Sequence, residues 1–165
     1  MMATYEQISE MLTKLGPELD VDEIAAYEES RSWAVAASGE GDDNTILLHY
    51  DETSGKVFIS GECGPVPENK VLSTYEFLLT YNLACLDTGG ARTALDRPGG
   101  DVSLIYDLPL AELEAEKLGV AITNFIGLLK TMQAMIICGV GDAVARAEEP
   151  DTNEIANQMS GAIRA

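Results

Sequence analysis

The sequence has few of the residues on which metal centres and nucleic-acid interfaces depend. It contains 1 histidine, 3 cysteines and 10 Lys or Arg residues among its 165. A single imidazole excludes metal sites that draw two histidines from one chain. The cysteines are odd in number and have no Cys-x-x-Cys spacing, which indicates reduced thiols in a cytoplasmic compartment. The net charge of −18 repels phosphate backbones, so nucleic acid is not an expected partner.

Long hydrophobic runs are also missing. The N-terminus lacks the basic segment and continuous apolar run of a secretory signal. The longest apolar candidate, residues 118–138, is interrupted by Asn124, Lys130 and Gln133. We therefore expect a helix packed on protein, with no membrane insertion. Aromatic residues make up only 6% of the chain, so the core is expected to consist mainly of Leu, Ile, Val and Ala.

The hydrophobic residues that are present form short helical and strand-like segments. Thr4 and Gln7 resemble a capping box at the start of a first helix, which Gly16 ends. An acidic connector at 18–30 is expected to hold at most one irregular turn of helix. Three strand-like runs follow, and short polar loops join them into a predicted antiparallel meander. These runs are residues 32–38, 45–50 and 56–60.

The second half predicts a helix over residues 67–86, two strands at 91–95 and 102–108, and a long helix within 109–138. The fold class is therefore α+β. We expect a single domain over residues 1–138 in the order α-βββ-α-ββ-α, with an antiparallel twisted sheet packed with helices. Residues 139–165 are polar and acidic, and we expect a loosely attached tail, with a short helix as the alternative.

The glycine-rich stretch "DTGGARTALDRPGG", residues 87–100, raises the question of a phosphate site. A phosphate-binding glycine loop needs a strand before it and a helix after it, so that the helix N-terminus meets the anion. Here a predicted helix precedes the glycines and a predicted strand follows them. The stretch therefore predicts backbone turns rather than a cofactor site.

Other candidate chemical groups give no catalytic or metal-binding pattern. His49 lies in a strand-like run and is expected at the sheet surface. A pair between His49 and a cysteine has no local signature to support it. The carboxylates at 40–44 lack the spacing of a calcium loop, so a solvated loop is the better interpretation. We predict no catalytic, cofactor-binding or metal-binding residues.

The predicted helix over residues 67–86 is apolar around more than half of its circumference, so it needs two packing partners. One face can lie on the sheet. The other requires either a second copy of the chain or a third layer from the same chain.

Residues 78–129 hold an ordered set of short features rather than one motif. The set is Leu79 with Asn82 and Leu83, Gly89–Gly90–Ala91, Leu95–Asp96, Gly99–Gly100, Val102 with Leu104, and Leu108–Pro109–Leu110. Through this set the sequence resembles a known family, the class I type III secretion chaperones of the CesT-like (Tir chaperone) kind.

The resemblance implies a homodimeric chaperone without enzymatic activity. It implies binding of the N-terminal region of a secreted effector or translocator, which is kept competent for export without ATP in the cytoplasm of a Gram-negative bacterium. The dimer interface is expected at Leu72, Tyr75, Leu79 and Leu83. Apolar grooves for the effector are expected at Ile8, Leu12, Trp33, Val35, Ile46 and Leu48, with ordinary core as the alternative for each.

Two other functions stay open on the sequence. One is a dimeric regulatory or interaction domain of the same fold that is not tied to secretion. The other is a small enzyme that uses Cys85 and the glycine-rich turn.

Overall fold

The computed structural model describes residues 2–38, 45–84 and 89–138. Its elements, in chain order, are α1 (Tyr5–Leu15), β1 (Val21–Tyr27), β2 (Ser32–Ala37), β3 (Thr45–Asp51), β4 (Lys56–Gly64), α2 (Val71–Leu83), β5 (Arg92–Leu95), β6 (Val102–Pro109) and α3 (Ala115–Cys138). The predicted tail at 139–165 lies outside the described residues, and the division of the chain at residue 138 stays a prediction.

The six strands form one antiparallel sheet in the order β1-β2-β3-β4-β6-β5. Strands β1 to β4 follow one another as hairpins, and β6 returns to pair with β4. Strands β1 and β5 are therefore the two edges of the sheet. The predicted α+β class and antiparallel sheet are confirmed.

The acidic connector after α1 is strand β1, so the expected turn of helix is wrong. The meander consequently has four strands instead of three. Ile24 of β1 lies opposite Val35 of β2, and pairing extends from Val21 to Tyr27. Main-chain pairing with β2 outweighs the weak strand preference of the acidic residues, whose side chains remain exposed to water on this edge.

One face of the sheet packs against α1 and α3 and forms the core. Side chains alternate along β4, where Val57 and Ile59 are buried and the residues between them are half-buried. Gly61 allows α3 to approach β4 closely, because a Cβ atom there would lie 2.6 Å from a methyl carbon of Leu129. Helix α3 contributes an apolar stripe to the core, whose residues are all buried: Leu118, Ile122, Phe125, Leu129, Met132 and Ile136.

Helix α1 follows its predicted boundaries. The capping box is present, since the Thr4 side chain accepts from the Gln7 N–H and the Gln7 side chain accepts from the Thr4 N–H. This reciprocal pair satisfies two N–H groups that have no partner within the helix.

Helix α3 begins at Ala115, later than the segment 109–138 suggested. The Leu110 N–H donates to the Gly55 carbonyl at 2.9 Å, which ties the segment before α3 to the β3–β4 turn. Glu112 adopts a φ of 54°, a left-handed conformation that interrupts a right-handed helix. The chain therefore turns once before α3 starts.

By length and composition, α3 is apolar enough to cross a membrane, and it is the one such helix in the described ranges. In this fold it is a core helix, because its apolar stripe packs on β4, β6 and α1. This agrees with the expectation from the polar interruptions in its sequence.

Candidate partner-binding surfaces

The first candidate surface is the outer face of α2. Leu72, Leu79 and Leu83 have exposed fractions of 74%, 69% and 86%. Their spacing of seven and four residues puts them on one side of the helix. Tyr75, the fourth residue predicted for the dimer interface, is half-buried and packs against the core.

The opposite side of α2 contacts the chain's own sheet. Thr74 and Leu78 are buried there, and the Phe77 and Tyr81 rings lie 6.3 Å apart. The helix therefore packs one face within the chain. The sequence predicts a helix with two apolar faces, and the face formed by Leu72, Leu79 and Leu83 has no packing partner among the described residues.

The second candidate surface is a groove of about 370 Å³ between α1 and β1. Its apolar lining includes Leu12, Ile24 and Trp33. The Trp33 ring is held from both ends, because it stacks on Tyr5 with ring centroids 4.7 Å apart and its indole N–H donates to the Ser9 hydroxyl at 3.2 Å. These two contacts fix the orientation of the Trp33 ring in the floor of the groove.

The rim of this groove is the free edge of the sheet. No other strand in the described ranges pairs with the outer edge of β1. Acidic side chains cluster along it and in its flanking turns, with no basic residue from position 18 to 30. All of them are exposed: Glu18, Asp20, Asp22, Glu23, Glu28 and Glu29.

The residues predicted to bind an effector are core residues. Leu12 and Trp33 are each 1% exposed, and the other four are 0% exposed: Ile8, Val35, Ile46 and Leu48. For the four residues at 0% exposure, the burial matches the stated alternative of ordinary core, because strand alternation and the α1 stripe direct them between the sheet and the helices. Their role in effector binding stays a prediction. Leu12 and Trp33 contribute only to the floor of the α1–β1 groove.

A third apolar surface lies between α3 and the β5–β6 side of the sheet. This groove has a volume of about 670 Å³, and its apolar lining includes Tyr106, Val120, Phe125 and Leu128. Val120 is 55% exposed. Sequence reasoning missed this groove, although apolar residues of α3 outside the buried stripe were a usable signal.

The glycine-rich stretch forms turns, as predicted, in the part that the structure describes, residues 89–100. It follows α2 and leads into β5, so the described residues here do not have the strand-then-helix order of a phosphate-binding loop. Gly99 has a φ of 70° in the β5–β6 turn, where the Asp96 N–H donates to the Asp101 carbonyl at 3.1 Å. Asp87 and Thr88 lie outside the described residues, as does Cys85.

The remaining chemical candidates are separated in space. His49 is exposed on the sheet face away from the helices, whereas Cys63 is buried on β4. Burial raises the pKa of the Cys63 thiol to about 12, so the thiol is protonated at neutral pH. Within the described ranges, no group of three or more His, Cys, Asp or Glu residues is arranged to hold a metal ion.

The fold is shared with solved structures of low sequence identity. The Yersinia pestis type III secretion chaperone SycH, in complex with a stable fragment of YscM2, is 21% identical and superposes with a TM-score of 0.58, covering 78% of this chain and 99% of its own. The HopA1–SchA chaperone–effector complex gives 14% identity and a TM-score of 0.58, and the match covers 77% of this chain and 93% of that chain. The ExsC–ExsE complex is 12% identical in sequence and has a TM-score of 0.54. The match covers 82% of this chain and 97% of that chain.

The family itself is identified by sequence. No curated protein matches the chain. Residues 10–133 match the Tir chaperone protein (CesT) family. This match extends over most of the chain and includes the segment on which the resemblance rested. The chain therefore belongs to the Tir chaperone protein (CesT) family of type III secretion chaperones.

Proposed function

We propose that the chain acts as a homodimer in the bacterial cytoplasm, where it binds the N-terminal region of a secreted effector or translocator and keeps it competent for export without ATP. The observation that carries the proposal is the open β1 edge, which lies beside an apolar groove on a strongly acidic chain. Membership of the family supports this kind of function. SycH and SchA, two proteins of similar fold, were each solved with a bound partner.

The outer face of α2 is the proposed dimer contact. Three exposed leucines on one helix form an apolar patch that a free surface helix does not normally carry. Glu76 is the only charged side chain on α2, and its spacing places it beside the leucines, so a contact between two α2 helices brings together one carboxylate from each copy. An isologous contact between two α2 helices gives the leucine face the second packing partner that the sequence pattern calls for.

The β1 edge and the α1–β1 groove are the proposed site for the effector. An extended segment can add to β1 as a further strand and gain main-chain hydrogen bonds. Because side chains alternate across a strand, every second residue of the segment points toward the groove lined by Leu12, Ile24 and Trp33. Apolar residues at alternate positions are therefore the pattern that this site selects.

The acidic rim adds a charge preference. Asp22 and Glu23 line the groove itself and are exposed. A segment with Lys or Arg near these positions is attracted, whereas an acidic segment is repelled. We therefore propose that the bound region is apolar at alternate positions and carries basic residues near Asp22 and Glu23.

A catalytic role has less support. The Cys63 thiol is protonated and enclosed, and the glycine-rich stretch lies at turns without a following helix. The proposed function needs an open strand edge, an apolar groove and surface charge, and it needs no reactive side chain.

Leu79→Asp tests the proposal directly. The chaperone is co-expressed with the N-terminal region of a secreted effector encoded beside it, and the complex is sized by sedimentation and light scattering. We expect two chaperone chains per effector segment. Leu79→Asp adds a charge to the apolar contact, and we expect it to weaken the dimer by about thirtyfold or more, as for an interface hot spot.

Ser73→Asp is the matched control, because Ser73 is exposed on the same helix but lies to one side of the leucines. It adds the same charge and is expected to leave the dimer intact. A wild-type chain that sediments as a monomer, or one that releases the effector segment during purification, contradicts the proposal.

A further inference from the structure

The β5 edge of the sheet is occupied by one side chain, that of Asn82. Its Oδ1 accepts from the Thr93 N–H at 2.8 Å and from the Thr93 hydroxyl at 3.2 Å. Its Nδ2 donates to the Thr93 carbonyl at 2.9 Å. Asn82 lies at the end of α2, and Thr93 lies within β5. Both main-chain groups of Thr93 that a new strand needs are therefore already bonded.

The Asn82 side chain bonds Thr93 in the way that one residue of a neighbouring strand would. A side-chain amide carries the same donor and acceptor as a peptide group, so it can replace the peptide of an adjacent strand. Strand β5 has four residues, and alternate residues direct their main-chain groups to the same edge. Thr93 is thus at the centre of a very short edge. With Thr93 bonded and 92% of its surface shielded, as its 8% exposure shows, too little of this edge remains for a continuous ladder.

Strand β1 has no comparable contact. It has seven residues, and in the described ranges the one side-chain hydrogen bond to its main chain is a long one at its last residue, from the Ser30 hydroxyl to the Tyr27 carbonyl at 3.4 Å. Its protection is the row of carboxylates along the rim. The two edges of one sheet are therefore treated differently by the chain.

We propose that Asn82 determines which edge accepts an extended partner: its amide closes β5 and leaves β1 as the site of strand addition. This rests on the proposed function, in which an effector segment adds to a sheet edge. Asn82 is also part of the Leu79–Asn82–Leu83 run of the α2 helix, so the same residue links the proposed dimer helix to the sheet. It is a positioning residue that acts by excluding a partner.

Amide hydrogen exchange of the full chain tests this, with and without the co-expressed N-terminal effector segment. In the wild type, we expect the segment to slow exchange along β1 and to leave β5 unchanged. In Asn82→Leu without the segment, the Thr93 amide loses its acceptor, and we expect it to exchange about tenfold faster or more. When the segment is present, we expect the variant to gain protection along β5 as well as β1.

Thr93→Val is the matched control. It removes only the hydroxyl contact at 3.2 Å and keeps both main-chain bonds to Asn82, so the β5 edge is expected to stay closed. Asn82→Ala is the second variant if Asn82→Leu does not fold. Sedimentation of each variant checks that the α2 contact is retained.

The outcomes separate the two proposals. If the effector segment protects neither edge of the wild type, strand addition itself is wrong. If it protects β1 in the wild type but β5 gains no protection in either Asn82 variant, strand addition stands and the role of Asn82 is overturned. A gain of β5 protection in Thr93→Val also overturns it, because both main-chain bonds are then still present.

Discussion

The two edges of the sheet solve the same problem by different means. An exposed edge strand offers unpaired N–H and C=O groups and invites association with other chains. On β5 the main-chain N–H and C=O groups of Thr93 are bonded to Asn82. On β1 the main-chain groups of the edge lie beside exposed carboxylates such as Asp22 and Glu23. One edge is closed by hydrogen bonds, and the other is guarded by charge.

Carboxylates beside an exposed edge strand allow a chaperone to keep that edge open without aggregating. Hydrogen-bond closure excludes every partner equally. Charge excludes only partners of the same sign, and a second copy of this chain, with a net charge of −18, is such a partner. Under the proposed function, the β1 edge therefore repels a second copy of this chain and attracts a basic extended segment.

The largest effect is expected from filling the β1 groove. Ala26 is exposed, lines the groove and lies opposite Trp33 in the pairing with β2. Ala26→Phe places a ring where the partner's side chain enters, while phenylalanine remains compatible with a strand. We expect the affinity for the effector segment to fall about tenfold or more, which is about 1.4 kcal/mol. Titration calorimetry measures it.

Ala94→Phe on β5 is the control, since Ala94 is also an exposed residue of an edge strand. If both substitutions weaken binding equally, the two edges are equivalent for binding, which contradicts the proposed preference for β1. If only Ala26→Phe does so, the asymmetry is functional.

The sequence predicted the elements whose signal is local. The α1 cap at Thr4 and the buried stripe of α3 follow from spacing that a single helix dictates. The fold class and the family followed from the order of such elements and from the features between residues 78 and 129. These parts of the fold are readable because each depends on neighbours in the chain.

The parts that could not be read depend on distant partners. Strand β1 was missed because its acids disfavour a strand, and only pairing with β2 makes it one. Burial of Ile46 and Leu48 could not be told from exposure, since an apolar strand face has the same pattern in a core and in a groove. The bond from Asn82 to Thr93 joins residues 11 apart, and no propensity encodes it.

A smaller effect is expected from removing charge at β1. Glu23→Gln with Glu28→Gln takes two exposed carboxylates from the rim without adding bulk. Exposed ion pairs contribute about 0.2–1 kcal/mol each, so we expect binding of the effector segment to weaken by roughly threefold to tenfold at low salt. At high salt the wild type and the variant should converge because the charges are screened.

Glu68→Gln with Glu112→Gln removes the same charge from exposed positions away from β1. This control separates the local effect from the effect of net charge. Equal weakening by both pairs shows that the edge is guarded by the field of the whole chain rather than by its own rim.

The smallest effect concerns the attachment of β5 to the sheet. Asp107 of β6 accepts from Arg92 of β5 at 2.8 Å and from Lys56 of β4 at 3.1 Å. Burial of the Asp107 carboxyl raises its pKa, but the two hydrogen-bonded cations outweigh burial, so the pKa lies below its ordinary value of 3.8. This cluster fixes the edge strand that Asn82 closes.

Asp107→Asn removes the charge of this cluster. Because the folded pKa of Asp107 is lowered, its stabilisation is present at neutral pH and is lost as the pH falls through the folded value. Both cations are about two-fifths exposed, with side-chain exposures of 41% and 42%, so solvent screening limits the expected loss to about 0.5 kcal/mol. Urea unfolding at neutral pH and in acid measures it, with Asp96→Asn in the exposed Arg97 pair as the control that should change nothing. A difference between wild type and Asp107→Asn that persists at a pH well below 3.8 excludes the carboxylate as its source, and the attachment of β5 then rests on Asn82 and the ladder to β6 alone.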